Sequence, residues 1–300
     1  MKINISEKWL PVYEALSSNV RLKIINFLAQ KPMNIKQLAQ QLGLSSAIVT
    51  MHIKKLEASS IIHCERKSIN GSVQKLCFLD VDSLEIEFPN KISKARNYHE
   101  IAMPIGHYSD FSATPTCGIA TPEKLIGQYD DPRYFLDPDR VNAGILWFTV
   151  GYVEYKIPNF LLSVQQPEEL EISMELGSEA PGINNNWPSD ITFSLNEHKI
   201  GEWTSPGDFG NSRGKYTPVW WSLGVGQFGL YKAIRITQEG SYIDGIKVSS
   251  TTLSSLDIRQ KYWTFRIAVL SDATNVGGVT LFGKGFGNYS RDITFKLYYK

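Results

Sequence analysis

The stretch LGLSSAIVTMHIKKLE, Leu42 to Glu57, decides the fold of the first part of the chain. A glycine turn comes first, and Ser45 is placed to cap a helix. About 100° of rotation per residue puts Val49, Ile53 and Leu56 on one side of that helix. The opposite side has almost no acidic residues and carries small or flexible groups, namely Ala47, Thr50, Met51 and Lys54. The pattern predicts a helix with one core face and one face left for a partner.

Apolar residues at helical spacing predict three further helices before this stretch. The first contains Trp9, Tyr13 and Leu16, and the second contains Val20, Ile24, Phe27 and Leu28. Asn34 is placed to cap the third, whose inward stripe comprises Ile35, Leu38, Ala39 and Leu42. Gly43 then ends it as a left-handed residue.

A β-hairpin is predicted directly after the quoted helix, in IIHCERKSINGSVQKLCFL, Ile61 to Leu79. Asn70-Gly71 is a strong two-residue turn signal, and it places Arg66 opposite Lys75 and Cys64 opposite Cys77. Like charges side by side are unfavourable unless something negative lies beneath them. A phosphate backbone would supply that charge, so the hairpin is interpreted as the wing of a winged helix.

The charge distribution supports nucleic-acid binding by the first part of the chain. Met1 to Leu79 contain 11 Lys and Arg against 4 Asp and Glu, whereas the remainder contains 20 against 26. A helix, a glycine turn and a second helix with small outer residues are typical of a helix-turn-helix that enters the DNA major groove. An ordinary three-helix bundle with a solvated lysine face is the alternative. The predicted contacts to double-stranded DNA are Ser45, Ser46, Ala47, Thr50, Met51, His52, Lys54, Lys55, Arg66, Lys67 and Lys75.

The same region resembles the winged-helix domain of ArsR-type transcriptional regulators. The matching residues are Ala15, Leu16, Ser17, Arg21, Leu22 and Ile24, then Leu38, Ala39, Leu42, Gly43, Leu44 and Ser45, and finally His52 and Leu56. The resemblance covers about a quarter of the chain and implies a dimeric DNA-binding repressor or activator. Met51 departs from the arginine often found at its position.

Metal binding is not expected at the site that metal-sensing members of this family use. These sensors carry Cys-x-Cys in the helix before the recognition helix, where this chain has NIKQLAQQ. Thiolates select such ions, so neither a metal nor another cofactor is predicted. Three cysteines at irregular spacing predict free thiols. Cys64 and Cys77 leave a thiol switch open as an alternative, and His99, His107 and Cys117 leave a metal site open.

After Leu79 the sequence changes character and predicts an all-β unit. Alternating apolar residues mark strands around Leu170 to Leu176, Ile191 to Leu195, Trp263 to Val269 and Ile293 to Tyr299. Loops rich in Gly, Pro, Asn and Ser separate them, as in an antiparallel sandwich or jelly roll. The fold class is therefore multidomain: a winged helix at 1–82, a linker at 83–104 with a short helix from Ile92 to Ala102, and a β-sandwich at 105–300.

Within this half, NNWPSDITFSLNEHKIGEWTSPGDFGNSRGKYTPVWW, Asn185 to Trp221, predicts a ligand site. Strands around a turn at Asn196-Glu197 resemble a hairpin of jelly-roll carbohydrate-binding and galactose-binding-like modules. Aromatic rings can stack on a sugar while acids, amides and Arg bind its hydroxyls. The alternative is that the tryptophans fill the core. The candidate residues are Trp187, Asp190, Trp203, Asn211, Arg213, Tyr216, Trp220 and Trp221.

Enzymatic activity is not predicted, because the acidic pairs lie in Pro-flanked loops and Gly283-x-Gly285-x-Gly287 precedes a strand rather than a helix. No apolar run reaches the length of a membrane span, so a cytoplasmic protein without membrane association is expected. The predicted function is a homodimeric DNA-binding regulator whose sandwich senses a small ligand, with a carbohydrate as the first candidate. A redox or metal sensor, a DNA-tethered hydrolase and a sandwich that serves dimerisation or protein contacts remain alternatives.

Overall fold

The computed structural model describes residues 1–69, 72–89 and 96–300, without the side chains at positions 68, 69, 72 and 73. The chain divides into two compact units, Met1–Lys94 and Ala95–Lys300, called here the N-terminal and C-terminal units. The α-helices of the described residues all lie in the N-terminal unit. None of them is long and apolar enough to cross a bilayer.

Four α-helices, one short 3-10 helix (Glu7–Trp9) and five strands form the described part of the N-terminal unit. The helices are α1 (Leu10–Leu16), α2 (Asn19–Gln30), α3 (Ile35–Leu42) and α4 (Ser46–Ala58). The strands are β1 (Lys2–Asn4), β2 (Met33–Asn34), β3 (Ile62–Ile69), β4 (Ser72–Leu79) and β5 (Glu85–Glu87). The helices predicted from apolar spacing are therefore confirmed. Their inward stripes share one buried cluster, which includes Ile24, Leu38, Val49, Ile53 and Leu56.

Local side-chain chemistry sets the boundaries of α3 and α4. Asn34 Oδ1 accepts a hydrogen bond from Gln37 N at 2.8 Å, and Gln37 Oε1 accepts one from Asn34 N at 2.9 Å. This capping box satisfies two backbone N–H groups at the start of α3. Gly43 ends the helix with φ of +66°, and Ser45 Oγ accepts from Ile48 N to begin α4. The predicted caps are confirmed.

The hairpin after α4 has the predicted register. Strands β3 and β4 pair in antiparallel fashion, with Arg66 opposite Lys75 and Cys64 opposite Cys77. The predicted turn residues Asn70 and Gly71 lie outside the described residues. Strand β4 also pairs with β2, which makes a three-stranded sheet of order β2-β4-β3. A separate parallel pair joins β1 to β5.

The described part of the C-terminal unit is an antiparallel β-sandwich. Its strands are β6 (Asn97–Met103), β7 (Asp110–Ala113), β8 (Cys117–Ala120), β9 (Ile145–Phe148), β10 (Gly151–Pro158), β11 (Pro167–Gly177), β12 (Ser189–Leu195), β13 (His198–Ser205), β14 (Leu230–Ile236), β15 (Ser241–Ile243), β16 (Ile246–Ser249), β17 (Tyr262–Val269), β18 (Val279–Phe282) and β19 (Ile293–Tyr299). One sheet has the order β13-β12-β17-β10-β7. The other runs β16-β15-β14-β11-β18-β9-β8, and β19 joins β11 to β6.

Alternate residues of the long strands fill the space between the two sheets. Leu170, Ile172, Met174 and Leu176 of β11 are all at most 1% exposed. Phe265 of β17 meets Phe295 of β19 edge to face, with 5.4 Å between ring centroids. The core is therefore formed by the apolar alternation visible in the sequence, because successive strand residues point to opposite faces.

Two strands, β5 and β6, lie within the segment 83–104, which the sequence predicts to be a linker. Within the segment 83–104, β5 pairs with β1, and β6 pairs with β19 along its whole length. The predicted helix from Ile92 to Ala102 is wrong where it is described, because Asn97–Met103 is a strand; residues 92–95 lie outside the described residues. Pairing with β19 satisfies the backbone of this short segment, which the local helical spacing did not reveal.

Candidate nucleic-acid interface and candidate ligand cavity

Helix α4 has the two faces that its sequence predicts. Val49, Ile53 and Leu56 are completely buried. The DNA contacts predicted on its outer side are exposed except for Thr50 and His52, which are half-buried; the exposed ones are Ser45, Ser46, Ala47, Met51, Lys54 and Lys55. The structure therefore brings this part of the predicted interface together on one helix.

The outer face of α4 is more apolar than the sequence analysis recognised. Met51 is 54% exposed, and Ile48, one turn before it, is 43% exposed. Residues three apart are neighbours on a helix surface, so the two side chains form a small apolar patch. Thr50 Oγ1 donates to Ser46 O at 2.6 Å, which leaves its oxygen free to accept. Methyl and methylene groups of this kind suit contact with thymine methyls in the major groove.

His52 faces a buried arginine. Arg21 is 7% exposed, and its guanidinium donates to Ala15 O at 2.7 Å and to Glu14 O at 2.5 Å. Its Nη1 lies 3.4 Å from His52 Nδ1. Burial, followed by the charges of Arg21 and Lys55, lowers the pKa of His52. The neutral form of the ring is therefore favoured, with Nδ1 accepting a hydrogen bond from Arg21. Its Nε2–H group can then donate a hydrogen bond to a phosphate oxygen.

The wing does not need a phosphate beneath its paired cations. Lys75 Nζ lies 2.7 Å from Glu57 Oε2 of α4, and this hydrogen bond is the main cause of the raised pKa of Lys75. The prediction that the Arg66–Lys75 pair needs a phosphate is therefore wrong, because Glu57 of the same unit supplies the negative charge. Lys67 lies 3.0 Å from Glu65 and 5.0 Å from the ring centre of Phe78. Arg66 is exposed and has no ion pair among the described residues.

These contacts predict that Arg66 matters mainly for DNA binding and Lys75 mainly for stability. Arg66→Ala is expected to weaken DNA binding without changing stability, because the side chain has no partner ion to lose. Lys75→Ala is expected to lower the free energy of unfolding by up to about 1 kcal/mol and to change DNA affinity less. Urea denaturation and fluorescence anisotropy with a labelled duplex would measure the two effects. Equal losses of DNA affinity would contradict the assignment.

The two thiols at the base of the wing are close but poorly ionised. Cys64 Sγ and Cys77 Sγ are 2.8 Å apart, and both cysteines are free. Burial raises the pKa of both thiols. A thiolate is the reactive form, so this environment slows oxidation and favours two packed side chains over a fast thiol switch. Among the described residues, no group of three or more His, Cys, Asp or Glu could hold a metal ion, and His99, His107 and Cys117 form no such group.

In the sandwich, two polar members of the predicted ligand site, Asp190 and Arg213, are engaged in structural hydrogen bonds. Asp190 is 6% exposed and accepts from Thr204 Oγ1 at 2.6 Å and from Asn275 N at 2.9 Å. Arg213 Nη1 donates to Pro218 O and to Trp221 O. Asn211 is exposed, and Tyr216 is 45% exposed. Asp190 and Arg213 therefore hold loops in place through these contacts.

The four predicted tryptophans are spread over different surroundings. Trp203 is half-buried, with Lys232 Nζ 4.6 Å from its ring centre. Trp187 Nε1 donates to Glu179 O, Trp220 Nε1 to Pro122 O, and Trp221 Nε1 to Gly226 O. Trp220 is 41% exposed, whereas Trp221 is 3% exposed. The structure does not gather the eight predicted residues into one cavity.

A cavity of about 170 Å³ lies on the outer face of the larger sheet. Ile145 and Trp147 of β9 pack outward with Trp221 and Phe286, whereas Leu146 and Phe148 point into the sandwich core. The cavity is called here the acidic cavity, and its walls include Tyr129, Asp130, Trp147, Glu179, Trp221 and Thr280. Of the eight predicted ligand residues, Trp221 lines it.

The other wall residues carry only weak sequence signals. Asp130 and Asp131 form one of the acidic pairs in Pro-flanked loops, yet the Asp130 side chain is fixed by accepting from Cys117 N at 2.9 Å. Glu179 follows the end of β11 and sits alone in LGSEAPG, residues 176–182. A single acid two residues after a strand whose last six residues are buried is the available signal, because carboxylates near a buried strand end need a partner.

The fold and the α4 face define the N-terminal unit as a winged helix-turn-helix. It carries a helix-turn-helix of the ArsR family, because residues 18–63 match the family model described as bacterial regulatory protein, arsR family. An uncharacterized HTH-type transcriptional regulator of Methanocaldococcus jannaschii is 40% identical over 52 residues, which cover 17% of this chain. The matched part spans 55% of that relative's length.

Two solved structures are similar to different parts of the chain. HlyU from Vibrio cholerae covers 24% of this chain and 75% of its own, at 16% identity and a TM-score of 0.22. The CBM36-1 domain of a multidomain xylanase from the hindgut metagenome of Trinervitermes trinervoides covers 67% of this chain and 96% of its own, at 11% identity and a TM-score of 0.26. At these scores the alignments carry no weight for function.

Proposed function

We propose that this protein is a DNA-binding transcriptional regulator whose β-sandwich is an effector domain for a small ligand. The observation that carries the proposal is the outer face of α4, where exposed small, apolar and basic groups follow a capped turn. The excess of seven positive charges in residues 1–79 supplies the attraction to phosphates that does not depend on sequence. In this proposal the protein binds its operator as a homodimer in the cytoplasm.

Two groups of residues have different roles in this proposal. Ser46, Ala47, Thr50 and Met51, at the start of α4, contact base edges. The phosphates are contacted by Ser45, His52, Lys54, Lys55, Arg66 and Lys67. Lys75 has a smaller part, because Glu57 already neutralises it.

Ligand control would operate by a population shift between dimer states that space the two recognition helices differently. A ligand changes such an equilibrium only if its affinities for the two states differ. A carbohydrate remains the ligand class that the sequence suggests, with the eight residues of Asn185 to Trp221 as its candidate contacts. The exposed members Asn211, Tyr216 and Trp220 are the ones still available to a sugar.

Two substitutions on α4 test the proposed DNA contacts. Lys54→Ala is expected to weaken specific and non-specific duplexes by the same factor and to reduce the salt slope of binding by about 1. Thr50→Ala is expected to reduce the preference for the operator over random duplex and to leave the salt slope unchanged. Fluorescence anisotropy at several salt concentrations, with duplexes from the chain's own operon, measures both quantities.

The matched control is Lys23→Ala, since Lys23 is an exposed lysine on α2 outside the proposed face. Its salt slope should equal that of the unmodified protein. If Lys23→Ala and Lys54→Ala reduce the slope equally, the interface is misplaced, and if no duplex binds at low salt, the proposed function is wrong.

A further inference from the structure

Aromatic rings and carboxylates both line the acidic cavity. The rings of Trp147 and Trp221 meet edge to face with centroids 5.7 Å apart, and Tyr129 lies 5.9 Å from Trp147. Glu179 also lines the cavity, and Thr116 Oγ1 donates to its Oε1 at 3.2 Å and Thr280 Oγ1 to its Oε2 at 2.9 Å. The two threonines fix the carboxylate, and each oxygen keeps further capacity to accept.

Two more carboxylates lie near Glu179. Asp130 belongs to the cavity wall and is exposed. Asp208 is 2% exposed and accepts from Ala180 N at 3.2 Å, and its charge and that of Asp130 act on Glu179. No Lys, Arg or His is among the described residues that line the cavity, and none of the three carboxylates has an ion pair with a described residue. A largely buried carboxylate without a cation is costly unless it is protonated or a ligand supplies the charge.

Without a ligand, protonation of the carboxylates reduces the cost of burying them. Burial, with the charges of Asp208 and Asp130, raises the pKa of Glu179 to about 8. Burial also raises the pKa of Asp208 to about 7. The other titratable groups that face them are Tyr129 and Cys117, and burial raises the pKa of both. Ionising these carboxylates near neutral pH is therefore unfavourable in the empty cavity, and a bound cation would favour their ionised forms.

We propose that the acidic cavity binds a small organic ammonium ion, held by Glu179 and Asp130 and enclosed by Trp147, Trp221 and Tyr129. Aromatic faces attract cations, and the attraction is strongest when the cation is desolvated. A cavity of about 170 Å³ accommodates an alkylammonium group but not a whole sugar chain. A bare metal ion is disfavoured, because the described residues offer no cluster of three metal-ligating side chains. That this ion is the effector rests on the regulator function proposed above, whereas the binding itself does not.

Choline chloride is the probe, and 3,3-dimethylbutan-1-ol is its neutral counterpart of the same shape. Isothermal titration calorimetry on the full-length protein, at constant ionic strength, is expected to give at least about tenfold tighter binding for choline. Affinity for choline should rise between pH 6 and pH 9, because the cation favours the ionised carboxylates. Proton release, read from titrations in buffers of different ionisation enthalpy, should accompany binding and decline above the pKa of Glu179.

Three variants test whether choline binds in the acidic cavity. Glu179→Gln keeps the size of the side chain and removes its charge, and choline should bind at least about tenfold more weakly. Asp130→Asn can still accept from Cys117 N, and Asn tolerates the φ of +62° at this position, so this variant should fold and also bind more weakly. Glu123→Gln, at an exposed carboxylate that does not line the cavity, is the control and should match the unmodified protein.

Several results would overturn the inference. Equal affinity for the alcohol would make the cavity a neutral apolar site, and no saturable heat with choline would leave it without the proposed ligand class. A sugar such as xylose that binds in a Glu179-dependent manner while choline does not would assign it to neutral ligands. Choline binding uses no DNA and the duplex assays use no choline, so the two proposals fail independently.

Discussion

Ile53→Ala is expected to destabilise the N-terminal unit strongly and thereby to weaken DNA binding. Ile53 is completely buried on the core face of α4, together with Val49 and Leu56. Truncating a buried isoleucine to alanine costs about 2 to 5 kcal/mol, through lost burial and the cavity left behind. Small domains are stable by about 5 to 15 kcal/mol, so this loss removes a large share of the margin.

The measurement is urea denaturation followed by circular dichroism at 222 nm, which reports the N-terminal unit because the α-helices of the described residues all lie there. Met51→Ala is the matched control on the same helix, since Met51 is 54% exposed and should change stability by less than about 0.5 kcal/mol. Unlike Ile53→Ala, Met51→Ala is expected to alter base preference while the protein remains folded. An unchanged denaturation midpoint for Ile53→Ala would show that the core face of α4 is wrongly assigned.

The second large effect is expected for Glu175→Ala in β11. Glu175 is 1% exposed, and its carboxylate accepts hydrogen bonds from the backbone N–H groups of Gly229, Asn288 and Tyr289. Removing it leaves three backbone donors without their acceptor, at about 1 to 3 kcal/mol each when buried. We expect a loss of about 3 kcal/mol or more in the C-terminal unit.

Tryptophan fluorescence during urea denaturation measures this loss, because six of the seven tryptophans follow Leu79. Glu171→Ala provides the control, since Glu171 lies on the same strand four residues earlier and is half-buried. Its free energy of unfolding should change by less than about 0.5 kcal/mol. If both variants lose the same stability, Glu175 does not anchor the loop around Asn288.

The burial of Ile53 can be predicted from the sequence, whereas the burial of Glu175 cannot. Ile53 belongs to a helical repeat that includes Val49 and Leu56, so its burial follows from spacing alone. Glu175 stands between Met174 and Leu176 on the outward side of a strand, where an exposed acid is the ordinary expectation. It is buried because loop residues 54 and 113 positions later cover it.

The regulator proposal and the cavity proposal also depend on different kinds of information. The α4 face is local, since one helix carries all of its outer residues. The acidic cavity combines Thr116, Asp130, Trp147, Glu179 and Trp221 from separate strands and loops. Pairing between strands far apart in the chain brings these residues together, and a single sequence shows no such pairing.

Sequence patterns are enough to predict the elements whose physics is local: the caps of α3 and α4, the core stripe of α4, the register of the wing and the inward residues of β11, β12, β17 and β19. Periodicity and turn chemistry act over a few residues, so they can be recognised without a structure. Tertiary structure alone decided that Lys75 pairs with Glu57, that Asn97–Met103 is a strand beside β19, and that three carboxylates meet near one cavity. Each of these depends on which distant segment lies alongside, and that is settled by the packing of the whole unit rather than by local preference.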